Sequence, residues 1–564
     1  MSGIADFPLI VRHMTIRKGC IPSWRTYRLL TVLQSECSGR GGDTEKKERD
    51  LATDSGSNAP AADIINPMTG QHHLAKGALN TRQVLFCCVT GAAPISAMLF
   101  NGPVGILGAG WAVPGAFILA TIVLTIFSVG YIEMARRVTA AGGFYSFISH
   151  AFGSVMGMGT AILMTFCYLV FSAAVTGVTA YFANANLMEW FGWDIPVWIF
   201  LFGTIILMTA FMFFHVEVTA RVLGIALIAE LAVLLIFSVA VLIQGGGPDG
   251  LAVDSLNPMN VFDSGGNMAI AAGATGIALF AAFWSWVGFE MAPNYAEEAT
   301  EPKKVMAPAM YVSVIGLGVL YVFVMWMFVA SAGKQGSVDL VNQQYAGEIG
   351  SIFYPMSDQY VGGWLTTLFG IFIITGSFAC QMAFFSTACR YLFSMGREGV
   401  LPSALGKTHP KHKSPHVAGV VAGIFVLIWV GAFFLYDSTA LGALLKLGTW
   451  SPLLGVAGIL AIQALVSVAI IYYFLSKAKD GFHWFKTLIA PIVATFTQAY
   501  AVYLLFKFRG DLSGAADVPF IQYLWVWPIV IFAIGVIIAL VLRSTNPQKY
   551  AGIGRYLHED VPAS

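Results

Sequence analysis

The sequence predicts an all-α membrane protein with twelve transmembrane helices. Three observations carry this prediction. First, 57% of the 564 residues are hydrophobic and only 11% are charged, with a mean hydropathy of +0.73; a soluble chain carries roughly 25% charged residues. Second, the apolar residues gather into stretches of the roughly 20 residues that cross a hydrocarbon core. Third, the first and sixth of these stretches are interrupted in mid-course by glycine, proline and, in the sixth, a carboxylate. The net charge of +1 leaves no basic footprint for nucleic acid.

Residues 1–75 are polar and rich in Gly, Ser and charge around SGRGGDTEKKERD, and are expected to form a disordered cytoplasmic extension. The Arg-rich, acid-poor start of this segment fits a transit peptide. An upstream extension of the reading frame, with Met68 as the start, is the plainer reading. Residues 76–545 hold the membrane domain, with spans expected near 83–104, 113–134, 155–182, 195–214, 223–243, 270–292, 309–332, 363–394, 416–435, 452–475, 487–506 and 524–542. The Gly-, Pro- and Asp-rich segment 245–266 reads as an outer loop with a short surface helix, dividing the first five spans from the next five. Residues 546–564 form a cytoplasmic tail. With the N-terminus inside, thirteen Lys and Arg residues between Arg136 and Lys486 fall in inner loops, and four (Lys334, Lys446, Lys507 and Arg509) in outer ones. Because Lys and Arg favour the cytoplasmic side, both termini are expected there, in a multi-pass protein of the plasma membrane.

The first span reads QVLFCCVTGAAPISAMLFNGPVG. Pro94 has no N–H to bond back one turn and its ring clashes with the preceding turn, so the helix should open there. In the sixth span the interruption falls at Trp286, Val287, Gly288, Phe289 and Glu290. Freed backbone groups cannot face lipid, so both breaks should line a cavity. Breaks five spans apart are the pattern of two five-helix repeats of opposite topology, with the site at the midplane. Half-helix N-termini suit an anionic group and exposed C-terminal carbonyls suit an ammonium, so a zwitterionic amino acid fits both.

Three stretches carry a family resemblance: FWSWVGFEMAPNYAEEATEPKKVMAPAM (283–310), GYIEMARRVTAAGGFYSFISHAFG (130–153) and ACRYLFSMGREGVLP (388–402). In these the chain resembles the amino acid-polyamine-organocation superfamily of permeases. The resemblance implies a LeuT-type 5+5 inverted repeat, with repeat one about 83–243, repeat two about 270–475 and two extra C-terminal helices about 487–542. It implies that amides near Gly91, Ala92 and Ala93 hold a substrate carboxylate, although Pro94 removes one donor. Carbonyls near Trp284, Ser285 and Trp286, leading into Val287 and Gly288, would receive the amino group. Trp284 matches the aromatic that closes over the substrate, and Phe384 a pocket aromatic. On the fifth span Glu230 stands where many members carry a lysine. A carboxylate there must be protonated, paired or bound to a cation, so a proton is the expected coupling ion and sodium the alternative.

Glu290 is a costly intramembrane carboxylate and is expected to serve proton coupling or gating. Glu133 with Arg136 reads as a cytoplasmic gate or capping pair. Glu297, Glu298 and Glu301 with Lys303 and Lys304 read as a solvated inner loop. His409, His412 and His416 lie in a basic loop broken by Pro410 and Pro415, which reads as solvated rather than metal-binding. The seven cysteines show no CxxC spacing and read as small core residues. No cofactor is expected. No cluster of membrane-embedded His and acidic residues suggests an enzyme, and no charged rings suggest a channel. The loop ARRVTAAGGFY also lacks the basic signature of the major facilitators. The sequence therefore implies a secondary transporter for an amino acid or related amine by proton symport, with exchange or a non-transporting nutrient sensor as alternatives. It leaves the oligomeric state open.

Overall fold

The computed structural model describes residues 74, 79–138, 142–214, 216–263, 265–269 and 274–554. The expected N-terminal extension through residue 73, Met68 and the last ten residues lie outside the described residues. Among the described residues the chain is helical, and only isolated bridges such as Leu79 to Ala299 interrupt that pattern. Ten helical runs are long and apolar enough to cross a membrane. The twelve expected spans map onto ten for two local reasons. The first two are joined in one interrupted run, Thr81–Arg137, of 57 residues. The fourth, Val197–Phe211, has only 15 residues.

The first run begins on a capping box, in which the Asn80 side chain accepts from the Gln83 N–H and the Gln83 side chain accepts from the Asn80 N–H. Its first helix, Thr81–Ala92, ends at Ala93 in the left-handed region, φ 43° and ψ 74°. That conformation costs a non-glycine residue about 1–2 kcal/mol. Pro94 then restarts the helix in its first turn, where a missing N–H is harmless. A π-helical turn, Ala97–Asn101, follows and leads into Gly102–Ala109. Gly110, at φ 51°, turns the chain into Val113–Arg137.

The sixth expected span has its own break. The helix Ala274–Trp286 stops, Gly288 takes φ 125° and ψ −30°, and a 3-10 helix runs Phe289–Tyr295. This segment and Ser154–Phe191 are the most enclosed, with 94% and 89% of their most apolar windows buried. By contrast, Val526–Thr545 and His416–Tyr436 are only 22% and 33% buried, and they carry exposed residues such as Ile537 and Ile428. Apolar side chains facing outward from such helices suit hydrocarbon rather than water. Between the apolar helices the chain forms the 3-10 turns Val253–Leu256 and Pro258–Phe262, and the helices Lys334–Ala346 and Phe353–Tyr360.

Candidate functional site

The two breaks meet. A Cβ placed on Gly288 would fall 2.6 Å from the Gly91 carbonyl carbon and 2.7 Å from the Ala92 nitrogen. Neither backbone could come so close with a side chain between them. Carbonyls at the end of the first half-helix are taken up by side chains from elsewhere. Cys380 Sγ donates to Gly91 O at 3.2 Å, and Tyr321 OH donates to Ala92 O at 3.0 Å. Ser96 Oγ lies 2.8 Å from Ser377 Oγ, tying the restarted helix to Gly363–Arg397. The Ala93 N–H is spent inside the first half-helix, on Val89 O and Thr90 O. The restart therefore moves its first amide donors past Pro94, to Ile95 and Ser96.

Beside this contact lies a small cavity of about 30 Å³. Six of the expected residues line it: Gly91, Ala92, Ala93, Trp284, Val287 and Phe384. Phe100 meets the Trp284 ring edge-on at 5.3 Å, and Phe384 stacks on Phe171 at 5.1 Å. Three of the expected residues stand beside the cavity without lining it. Ser285 accepts from Asn101 Nδ2 at 3.0 Å and donates to Ala281 O. Trp286 turns away, with its Nε1–H donating to Val314 O at 3.1 Å. Gly288 is occupied by its contact with Gly91.

Sequence reasoning missed Ser96, Ala97, Phe100, Asn101, Val175, Val178 and Cys380 as lining residues. Ser96 and Asn101 carried a usable signal, being polar side chains inside an apolar stretch. The valines carried none, since nothing in their local sequence tells which helix face turns inward.

The carboxylates divide by environment. Glu290 is fully buried. Its Oε2 accepts the Gly288 N–H at 2.9 Å and its Oε1 accepts the Tyr168 hydroxyl at 3.0 Å. Tyr168 stacks in turn on Phe384, with ring centroids 6.3 Å apart. Glu230 is 2% exposed, and its carboxyl group fills the space over Gly376, where a Cβ would lie 2.7 Å from Cδ. Among the described residues it makes no ion pair or hydrogen bond; the Arg221 side chain lies outside them.

Glu133 and Arg136 stand away from the cavity. They pair at 3.1 Å, and Glu133 also reaches Lys486 at 3.2 Å, all partly exposed. The expectation of a solvated loop at Glu297 and Glu298 is overturned. Glu298 is buried and binds Arg390 at 2.7 Å, Glu297 binds Arg397 through two hydrogen bonds, and the Arg390 guanidinium lies over the Tyr295 ring. Burial demands this pairing, because an unpaired charge there would be too costly. Glu301 alone fits the solvated reading, with an exposed contact to Lys304. The three histidines are likewise packed rather than simply solvated, with His409 and His416 edge-on at 5.5 Å and His416 against Phe213.

Comparison with known proteins adds an independent line. The family described as amino acid permease matches residues 80–540. The branched-chain amino acid permease BcaP of Bacillus subtilis is 24% identical over 449 residues, covering 75% of this chain and 86% of that protein. The methylthioribose transporter of the same organism is 22% identical over 465 residues, 79% and 90% of the two chains. The low-affinity putrescine importer PlaP of Escherichia coli is 25% identical over 342 residues, 58% and 69%. With its multiple apolar helices and a family match spanning most of its length, the chain is an integral multi-pass membrane protein and belongs to the amino acid permease family of the amino acid-polyamine-organocation superfamily.

Proposed function

We propose that this chain is a secondary active transporter that carries an amino acid across the membrane by alternating access, in symport with a proton. One observation carries the reading: two broken helices touch backbone to backbone at Gly91 and Gly288 beside a small cavity. Half-helix ends concentrate partial charge of both signs in one place, which suits the carboxylate and ammonium of an amino acid. The Ile95 and Ser96 amides take the carboxylate in this reading, and Trp284 and Phe384 enclose the rest.

Helix lengths support twelve crossings in a 5+5 inverted repeat with two added helices. A straight helix of 57 residues would measure about 85 Å, against a hydrocarbon core of about 30 Å, so Thr81–Arg137 serves as two crossings divided at Gly110. Val197–Phe211 completes the count as a short crossing. The distribution of Lys and Arg supports cytoplasmic termini. Glu230 is the proposed proton carrier, since a buried carboxyl group with no partner among the described residues calls for neutralisation by a proton or a cation.

The test is uptake of labelled amino acids by the purified protein in liposomes. Accumulation under an inward proton gradient is expected. Accumulation under a sodium gradient alone would replace the proton, and uptake only against internal amino acid would make the protein an exchanger. Failure to move any common amino acid would sink the reading.

A further inference from the structure

The geometry points to Asn101 as the residue that selects the transported side chain. The cavity takes a neutral amino acid whose side chain ends in a hydrogen-bond donor, a carboxamide above all, and Asn101 Oδ1 accepts that donor. The inference rests on the amino acid reading above and gives it a substrate class.

Asn101 ends the π-helical turn Ala97–Asn101 and lines the cavity while only 5% exposed. A π-turn displaces the side chains after it relative to a regular helix, a device frequent at functional sites. The amide orientation follows from its neighbours. Ser285 Oγ gives its proton to Ala281 O at 2.8 Å, so toward Asn101 it can only accept. Nδ2 therefore faces Ser285, at 3.0 Å, and Oδ1 faces the other way. Oδ1 is buried and has no hydrogen-bond partner among the described residues. Ser96, the other polar side chain of the first broken helix on this wall, is already engaged with Ser377.

The remaining wall decides the class. Val175, Val178, Trp284 and Phe384 offer apolar surface, and among the described residues no charged side chain lines the cavity. A second ammonium or a second carboxylate on the substrate would lose its hydration there without a counter-charge. A side-chain carboxylate would also set its lone pairs against those of Oδ1.

The experiment compares ligands of similar shape on the full-length purified protein in detergent, reading thermal stabilisation against concentration. Asparagine is paired with leucine, glutamine with methionine, and aspartate is the charged control. A site that holds a hydrogen-bond acceptor discriminates strongly against an analogue lacking the donor. Half-stabilising concentrations for asparagine or glutamine are expected to be at least about tenfold below those of their apolar partners, with aspartate inert. Asn101→Leu should bring the ratio to one or invert it. Asn101→Ser, a milder change if the leucine variant does not fold, should also move the ratio toward one. Equal affinity of the wild type for both members of each pair would overturn the assignment, whatever the variants do, and so would an undiminished preference in either variant. Stabilisation by none of the five, with liposome uptake of another common amino acid, would overturn the assignment alone; uptake of no common amino acid would overturn the amino acid reading itself.

Discussion

Two buried carboxyl groups, Glu230 and Glu290, are held in opposite ways. Glu290 accepts a backbone N–H and a tyrosine hydroxyl, so part of its charge is met in place. Glu230 packs over Gly376 and has no hydrogen-bond donor among the described residues. The group with the fewer fixed partners gains more from a proton or cation that comes and goes, which favours Glu230 for coupling. Glu230→Gln is therefore expected to weaken the response of uptake to an imposed proton gradient more than it weakens amino acid exchange. Equal loss in both assays, or no loss of gradient response, would remove Glu230 from the coupling step. A third carboxyl group lies beyond the spans. Glu398 accepts from the Tyr145 hydroxyl and, at 3.2 Å, from the Gly554 N–H of the C-terminal tail. Burial pushes its carboxyl from 4.5 up to about 7. Because the folded value is the higher one, its contribution to stability is full below about pH 4.5 and is lost as pH rises through about 7. Melting curves at pH 5 and pH 8 should show a larger drop for the wild type than for Glu398→Gln. Parallel drops would contradict the assignment.

At the scale of elements, the central joint is the contact between the two broken helices. Gly288 combines φ 125° with no room for a Cβ over Gly91, so Gly288→Ala meets both backbone strain and overlap. Loss of uptake in Gly288→Ala is expected, with the protein still inserted in the membrane. Gly431, in the outer helix His416–Tyr436, is the matched control, because a Cβ there would have nothing within 4 Å. Gly431→Ala should transport normally, and normal transport by Gly288→Ala would mean that the joint is not needed. The C-terminal end of the sixth-span break is fixed by a second joint, in which Glu298 and Glu297 pair with Arg390 and Arg397 on the helix Gly363–Arg397. Both broken helices are thus tied to the same partner helix, since its Cys380 and Ser377 hold the first broken segment.

For the whole molecule, the proposed orientation can be checked directly. The five described cysteines are all buried, so single cysteines introduced at exposed loop sites can report sidedness once Cys20 and Cys37 are removed. A cysteine at Lys411 should react only from the cytoplasmic face and one at Gly250 only from outside; the reverse pattern would invert the topology. The membrane class, the existence of two breaks and their places near Pro94 and Gly288 were legible in the sequence. Hydropathy, the missing proline N–H and the conformational freedom of glycine are local properties that a short window carries in full. The expected lining by Trp284 and Phe384 came through the resemblance rather than through periodicity. Other features were decided only by the tertiary structure. Gly91 rests on Gly288, Asn101 reaches Ser285 across 184 residues of chain, and the acids expected in solvent at Glu297 and Glu298 are paired with arginines. Such contacts depend on which face of each helix turns inward and how closely two backbones approach, and packing fixes both only after distant segments have met.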